Sequence, residues 1–262
     1  MKIYALMENI SHDECLACEH GLSLYIEADG KKILFDTGAS ENFATNAEKM
    51  GVDLKAVDFA AISHGHYDHG GGLAKFIEIN DHAPIYISNK GFNQYYSGTD
   101  FNVSIPEGLE GNPRFVLTSE PIKLSENITL LNCNDREAKY FADPYGLNKL
   151  VDGEFIPDDF LHEQYLIIEE NGKRIVISGC SHKGILNIME WLKPDILIGG
   201  FHFFRLTTEG EDAATLDKSA AILNEYGATY YTCHCTGTEQ YEYLKAQMPK
   251  LNYIATGDVI EF

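Results

Sequence analysis

The sequence predicts an α/β protein built as a four-layer αββα sandwich, and three observations support this fold class. Each half of the chain contains strand patterns followed by helix patterns. Each half also contains a hairpin with a turn dipeptide, Asp29-Gly30 in the first and Asn171-Gly172 in the second, where glycine accepts the positive φ of a tight turn. No linker separates the halves. Two such halves indicate two facing sheets with helices outside, and we expect residues 1–262 to form one domain.

The elements of the first half follow from apolar runs and their boundaries. Strand patterns cover residues 1–6, 22–28, 31–36, 59–62 and 84–88, and helix patterns cover 40–50 and 73–79. Ser40 is the predicted N-cap of the first helix. Residues 89–114 and 141–160 are rich in turn residues and show no period, so they are predicted to be long loops, which in compact domains are commonly functional. The first loop contains four aromatic residues that either wall a pocket or pack over the edge of the core: Phe92, Tyr95, Tyr96 and Phe101.

The second half alternates strands and helices more regularly. After the hairpin of residues 165–168 and 174–177, the chain is predicted to form a helix over 184–193 and a strand over 195–198. A helix over 213–226, a strand over 229–232, a helix over 239–247 and a strand over 253–255 complete it.

Composition excludes several classes of partner. Forty acidic and twenty basic side chains give a formal net charge of −20, which repels nucleic-acid phosphates and anionic membranes. No apolar run approaches the ~18 residues of a membrane span, and residues 1–6 have the pattern of a strand rather than of a leader. We therefore expect a cytoplasmic protein without nucleic-acid or membrane partners, and composition leaves its oligomeric state open.

The six cysteines do not predict a disulfide framework, because a chain of this size without a leader is expected in a reducing compartment. Cys15 and Cys18 have C-x-x-C spacing, but no second such pair completes a zinc site.

The segment His64-Gly65-His66-Tyr67-Asp68-His69 is the strongest chemical feature of the sequence. It places four potential metal ligands within six residues, directly after a predicted buried strand. Imidazole and carboxylate together suit zinc, iron or manganese. His64 and His66 can point into one half-site, while Asp68 and His69 face a second metal. Gly70, Gly71 and Gly72 follow and are expected to let the backbone turn sharply beneath the cluster.

Three further histidines lie where a predicted strand meets a loop: His182, His202 and His234. If their strands run parallel, all three lie at one edge of the sheet, where α/β proteins collect their sites. Three other histidines, at positions 12, 82 and 162, are predicted to lie at the surface.

These residues resemble the signature of the metallo-β-lactamase superfamily, with Asp36 at the end of an earlier Leu-Phe-Asp-Thr-Gly strand. The resemblance covers nearly the whole chain in element order and implies the αββα fold. Four segments resemble, more narrowly, the branch labelled 7,8-dihydropterin-6-methyl-4-(β-D-ribofuranosyl)-aminobenzene-5′-phosphate synthase: Glu19-His20-Gly21-Leu22-Ser23, Ser178-Gly179-Cys180-Ser181-His182, Gly199-Gly200-Phe201-His202 and His234-Cys235-Thr236-Gly237.

The resemblance implies a role for each matching residue. His64 and His66 would hold a first metal, and Asp68, His69 and His234 a second. Asp36 would orient the histidine loop through hydrogen bonds. The implied cofactors are two divalent metal ions. Zinc is the expected metal, with iron or manganese as the alternatives.

The sequence departs from the superfamily pattern at two points. Cys180 stands where a bridging Asp is usual, and it is either a thiolate ligand or a small buried thiol. The usual third-motif histidine is not evident, since that region offers Asp159, His162 and Glu163 instead. His182 is the predicted substitute on the first metal.

As a hydrolase, such a site would act by lowering the pKa of water and stabilising a developing oxyanion. Asp68 would hold the water as well as ligate. His202 is the candidate proton donor to the leaving group, with metal ligation or a supporting role as alternatives. An anionic small-molecule substrate would pair with Lys183, Lys149 or Arg205, among which the sequence does not choose.

Three functions remain open from the sequence. The first is hydrolysis of a small ester, lactone or phosphoester. The second is the transferase reaction that the branch label implies, joining a pterin to a ribosyl-aminobenzene phosphate. The third is a non-catalytic metal- or ligand-binding sensor. One fold hosts many reactions, so the label is only a guide to the chemistry.

Overall fold

Two seven-stranded sheets and one four-stranded sheet organise the molecule in the computed structural model, which describes residues 1–262. The strands in chain order are β1 (Lys2–Met7), β2 (Ser23–Ala28), β3 (Lys31–Phe35), β4 (Phe59–Ala61), β5 (Ile85–Ser88), β6 (Tyr95–Ser97), β7 (Phe101–Asn102), β8 (Phe115–Thr118), β9 (Ile122–Lys123), β10 (Ile128–Leu131), β11 (Leu147–Val151), β12 (Glu154–Pro157), β13 (Tyr165–Glu170), β14 (Lys173–Ile177), β15 (Ile196–Ile198), β16 (Thr229–Thr232), β17 (Leu251–Tyr253) and β18 (Val259–Glu261). The α-helices are α1 (Asn42–Lys49), α2 (Tyr67–Gly70), α3 (Leu73–Ile79), α4 (Ile185–Leu192), α5 (Gly210–Glu225) and α6 (Thr238–Lys245), and short 3-10 helices cover Leu54–Ala56 and His234–Thr236.

The first large sheet has the order β18-β1-β2-β3-β4-β5-β8 and the second the order β17-β16-β15-β14-β13-β10-β9. Leu24, Ile26 and Phe35 of the first sheet share one fully buried core with Leu166 and Ile177 of the second. The outer faces are covered by helices, for example by Phe43 of α1 on the first sheet and Leu216 of α5 on the second. The predicted four-layer αββα arrangement is confirmed.

Both predicted hairpins are present. The turn between β2 and β3 has φ of 50° at Asp29 and 68° at Gly30, and the turn between β13 and β14 has 53° at Asn171 and 72° at Gly172. Two successive positive φ values give the turn whose twist matches that of the strands.

Parallel pairing decides where the site forms. In the second sheet β14, β15 and β16 run parallel, with Ile177 beside Ile198 and Ile198 beside Tyr231. In the first sheet β3, β4 and β5 are likewise parallel. The loops that follow these strands therefore leave their sheets at the carboxyl ends of the strands, where the sites of such folds lie.

The prediction that residues 89–114 and 141–160 form long loops was wrong in part. Strands β6 and β7 lie within residues 89–114, β11 and β12 within 141–160, and the four form the third sheet in the order β12-β11-β6-β7. These strands are two to five residues long, and β6 pairs with β11 about fifty residues further along the chain. Such pairing depends on tertiary contact and leaves little local pattern.

None of the helices is both long and apolar enough to span a bilayer.

Candidate metal centre

The predicted ligands converge on one site between the two large sheets. His64, His66, Asp68 and His69 lie on the loop that leaves β4 and on helix α2, and the other candidates lie on the loops after β14, β15 and β16. Three residue groups there place their ligand atoms within 4.8 Å of one another: His64, His66 and His182; Cys180, His182 and His202; and His20, Asp68 and His234. Cys180 also groups with His64 and His69, so it lies between the first and the last of these groups.

The first group contains two imidazole nitrogens that face each other. His64 Nε2 lies 3.2 Å from His182 Nε2. Ser63 Oγ donates its only proton to Asp36 Oδ2 at 2.7 Å, so it accepts a hydrogen bond from His64 Nδ1 at 2.8 Å. In a neutral His64 ring the other nitrogen, Nε2, is then unprotonated and carries a lone pair. A cation shared by the two rings explains this approach, because imidazole ligates metals through such a lone pair.

The third group, His20, Asp68 and His234, contains a similar close approach between an imidazole and a carboxylate. His234 Nδ1 donates to Asn9 Oδ1 at 2.7 Å, so the lone pair of His234 Nε2 faces Asp68 Oδ2 at 3.2 Å. Burial alone raises the pKa of Asp68, but the neighbouring imidazoles of His69 and His20 hold it well below its usual value. Asp68 is therefore a carboxylate that faces another electron-pair donor.

Asp36 supports the histidine loop from beneath. Its Oδ2 accepts from His69 Nδ1 at 2.7 Å, and its Oδ1 accepts from the amide of Ser63 at 2.6 Å. Both Asp36 and His69 are fully buried. Although burial lowers the pKa of His69, the carboxylates of Asp36 and Asp68 raise it. This contact fixes the His69 tautomer and directs its Nε2 toward the site, the usual pairing of a carboxylate with a ligand histidine.

Cys180 follows Gly179 on the loop after β14, and its Sγ lies 3.1 Å from His69 Nε2. Burial, together with the nearby Cys235 thiol, raises its pKa well above the usual value. A bound cation reverses that direction, because a thiol that coordinates a metal is deprotonated. Cys180 is thus a buried thiol beside the potential ligand atom His69 Nε2, and both alternatives, a thiolate ligand or a small buried thiol, stay open.

Several buried ring nitrogens have no hydrogen-bond partner within the protein: His66 Nε2, His182 Nδ1 and both nitrogens of His202. Buried polar atoms without partners are rare and costly, so each requires an explanation. Burial lowers the pKa of His202 to about 3, and its ring is therefore neutral at neutral pH. Nitrogen, sulfur and carboxylate donors in this number and arrangement fit zinc or a similar divalent cation.

The prediction of a surface position for His162 was wrong. His162 is buried beside the site, where its Nδ1 accepts from the amide of Gly65 at 2.8 Å and its Nε2 donates to Asp158 Oδ2 at 3.0 Å. Burial lowers its pKa to about 4. Both of its nitrogens are engaged, so His162 holds the backbone between His64 and His66 instead of offering a free ligand atom.

The other two candidates of that region also lie outside the donor cluster. Asp159 is paired with Lys149. Glu163 is buried, and its carboxylate accepts from the amide of His182 at 2.6 Å and that of Lys183 at 3.0 Å. It therefore positions the loop that carries His182.

Sequence reasoning missed three supporting residues on the N-terminal loop. His20, half-exposed at 49%, lies 3.3 Å from Asp68 Oδ2, and its only sequence signal was its place in a family-like segment. Glu8 accepts from the amide of His234 at 2.5 Å, and Asn9 fixes the ring of the same histidine. Neither gave a local signal, since each acts through a residue more than 200 positions away.

Four non-glycine residues at this edge have left-handed backbone, with φ of 60° at Asp36, 58° at Ser181, 58° at His202 and 49° at His234. Such conformations cost non-glycine residues about 1–3 kcal/mol each and concentrate at functional sites. The glycines after His69 serve a different purpose from the sharp turn expected of them. Gly71 has helical φ of −65°, and a Cβ there would lie 2.2 Å from the carbonyl oxygen of Ala39, so glycine is required by close backbone approach.

An open cavity of about 280 Å³ reaches the donor cluster. Its wall includes Ser97, Phe101 and Leu147 from the third sheet, and Arg205 lies at its side. Of the four aromatic residues considered, Phe101 alone lines this cavity. The other three pack against rings elsewhere. Tyr95 stacks on His162 with their ring centroids 4.0 Å apart, Phe92 packs on Phe115, and Tyr96 packs on Phe155.

The fold and the donor cluster together define an αββα-sandwich protein with side chains that could ligate metal at the carboxyl ends of its strands. The chain belongs to the metallo-β-lactamase superfamily, whose family model matches residues 17–216. Most members of this superfamily are enzymes, and the family typically binds metals.

Known proteins extend this likeness over almost the full chain. The sequence is 31% identical to a Methanocaldococcus jannaschii protein named 7,8-dihydropterin-6-methyl-4-(β-D-ribofuranosyl)-aminobenzene-5′-phosphate synthase, over 90% of this chain and 88% of that protein. The crystal structure of Tm1679, described as a metal-dependent hydrolase of the β-lactamase superfamily, superposes with a TM-score of 0.83 at 28% identity and covers 100% of this chain and 99% of that one. YhfI from Bacillus subtilis shares the fold, with a TM-score of 0.62 at 14% identity over 100% of this chain and 99% of that one.

Proposed function

We propose that this protein is a metal-dependent hydrolase that uses two divalent cations, zinc in the first instance, against a small ester, lactone or phosphoester. The observation that supports this most directly is the close approach of potential ligand atoms at the end of an open cavity. His64 Nε2 lies 3.2 Å from His182 Nε2, and His234 Nε2 lies 3.2 Å from Asp68 Oδ2.

The residues divide naturally between two cations. His64, His66 and His182 would hold the first, and Asp68, His69 and His234 the second, with Cys180 between them. Divalent cations bound there would lower the pKa of water and stabilise negative charge on oxygen.

Asp68 and His202 are the side chains that we expect to handle protons. All close contacts of Asp68 involve Oδ2, so its Oδ1 is available to accept a hydrogen bond from a water in the cavity. His202 lines the cavity and has no partner on either ring nitrogen. As a neutral ring, it is placed to take a proton from the attacking water and to pass it to the leaving group.

Arg205 is the cation best placed to bind an anionic substrate. Lys183 is engaged by Asn132 and Glu163 carbonyl oxygens at 2.6 and 3.1 Å, and Lys149 pairs with Asp159. Arg205 lines the cavity, makes no ion pair, and contacts Ser97 Oγ at 3.4 Å. In a chain of net charge −20, such a local cation is what allows an anion to approach.

A transferase reaction is the second candidate function, because the 31% identical M. jannaschii protein is named a synthase. The same donor cluster would then activate a second substrate in place of water.

The test combines metal content with product analysis. Elemental analysis of protein expressed in metal-replete medium is expected to give close to two transition-metal ions per chain, and none would contradict the proposal. The loaded protein is then assayed on panels of phosphoesters, lactones and carboxylic esters. Hydrolysis by water alone supports the hydrolase, whereas product that forms only with a pterin and a ribosyl-aminobenzene phosphate together supports the transferase. Metal binding without either product would indicate a sensor.

A further inference from the structure

A second cavity of about 420 Å³ adjoins the first, and His182 and His202 line both of them. The second cavity lies between the segment that precedes β11, the loop that carries His202, and helix α5. Its wall is markedly aromatic and includes Tyr140, Phe141, Tyr145, Phe201 and Phe203. Two unpartnered nitrogens of the buried His202 therefore lie where the two cavities meet.

Phe141 is the most unusual residue of this wall. Its side chain is 88% exposed, more than any other large hydrophobic side chain of the protein. Its segment is nevertheless held in place, because the buried Asn187 accepts from the amides of Lys139 and Tyr140 at 3.0 and 2.8 Å and donates to the Tyr140 carbonyl at 2.8 Å. An exposed ring on an anchored backbone is a preformed surface for stacking.

The polar groups of the second cavity do not favour a strongly charged ligand. Lys218 makes no ion pair, and Asp143 stands in the same wall with its Oδ1 bonded to the amide of Tyr145. One cation and one anion nearly balance, and both can hydrogen-bond to the edge of a ring bearing nitrogen or oxygen atoms.

We propose that the second cavity binds a planar aromatic or heteroaromatic group of the substrate, while its anionic group lies near Arg205 in the first cavity. The bond that reacts would then lie beside His202, where the cavities meet. This inference rests on the proposed function, because it takes the first cavity to be the catalytic site. It narrows the substrate class to molecules with an aromatic ring and a separate anionic group.

Binding of two sulfonates to the metal-loaded full chain tests the inference by calorimetry. 2-Naphthalenesulfonate and cyclohexanesulfonate carry the same anionic group, so any contact with the metal centre or Arg205 is common to both. Stacking adds about 0.5–1.5 kcal/mol beyond area burial, and we expect the naphthyl probe to bind about tenfold more tightly. Equal affinities for wild-type protein would overturn the proposal.

Two variants locate the preference within the second cavity. Phe141→Ala removes the exposed ring, and Ala214→Phe fills the cavity from the exposed face of α5. Each is expected to reduce the naphthyl preference to threefold or less. Phe155→Ala, an exposed aromatic that lines neither cavity, is the matched control and should keep it. A preference that both variants retain would place the ring elsewhere and refute the inference.

Because binding is measured without turnover, the two proposals can fail separately. Suppose that the wild-type protein prefers the naphthyl probe, that both variants lose this preference, and that no panel substrate is hydrolysed. The aromatic subsite would then be supported, and the hydrolase function would be contradicted. Hydrolysis of a panel substrate by a protein that shows no naphthyl preference would support the hydrolase function and contradict the aromatic subsite.

Discussion

Asp36 and His69 are joined by a 2.7 Å contact between Oδ2 and Nδ1, with both side chains fully buried. Asp36 ends the hairpin of the first sheet, and His69 belongs to the donor cluster. Asp36 also binds the amide and hydroxyl of Ser63, so one carboxylate orients both His64 and His69.

Asp36→Asn is therefore expected to weaken metal binding without removing a ligand. The new amide places a donor either opposite both His69 Nδ1–H and the Ser63 hydroxyl or opposite the Ser63 backbone amide. Loss of such a supporting carboxylate typically costs about 10–100-fold in metal affinity, and competition with a coloured chelator measures it. Asp152→Asn, at an exposed turn, is the control, and unchanged affinity in Asp36→Asn would contradict the role assigned to this contact.

His66→Ala is expected to abolish activity while leaving the fold largely intact. His66 is buried, its Nε2 has no partner, and it groups with His64 and His182. Its removal would take one ligand from the first cation, so metal content should fall toward one ion per chain. Activity, elemental analysis and circular dichroism are compared with His82→Ala, which alters an exposed histidine. Full activity of His66→Ala would refute its assignment as a ligand.

His202→Ala separates the two roles that remain for this residue. If His202 passes a proton to the leaving group, turnover falls about 10²–10⁴-fold while the metal content stays that of the wild type. The loss should be smallest for substrates whose leaving groups need no proton, such as nitrophenolate. Loss of metal would instead make His202 a ligand alongside Cys180 and His182.

Arg205→Ala is expected to raise KM for anionic substrates with little change for neutral esters. The guanidinium lines the first cavity without a carboxylate partner, so its charge is available to a ligand. A rise of about tenfold corresponds to ~1.4 kcal/mol, and kcat on a neutral ester serves as the internal reference. Arg174→Ala, which removes an exposed arginine paired with Glu169, should leave both values unchanged. Equal effects on neutral and anionic substrates would show that Arg205 does not select charge.

Much of the site was predictable because its residues carry local signals. Three histidines and an aspartate within six residues reveal a donor cluster in any setting, and His182, His202 and His234 each follow a recognisable strand. Parallel pairing of β14, β15 and β16 then brings them together, which is a rule of fold geometry.

The missed residues act over long sequence distances. His162 follows an irregular stretch and gives no periodic signal, yet it lies against Gly65, 97 positions earlier. Glu8 and Asn9 contact His234 across more than 220 positions. Their roles depend on how the first and second sheets face each other, which composition and local pattern do not determine.

Gly179→Ala tests how closely the two halves of the centre fit. Gly179 has φ of +65°, and a Cβ there would lie 2.5 Å from Ser63 Oγ, so the substitution combines backbone strain with a steric clash at the residue that orients His64. Gly172→Ala is a matched control, since its φ is +72° with nothing within 4 Å of the added Cβ. Backbone strain alone costs about 1–3 kcal/mol, and we expect Gly172→Ala to lose free energy of unfolding in that range with unchanged metal affinity. Gly179→Ala should lose more and should also bind metal more weakly, because Ser63 and the adjoining Cys180 must move apart. Denaturant unfolding and chelator competition measure both quantities, and equal losses with equal metal affinity would show that the loop after β14 adapts freely around Ser63.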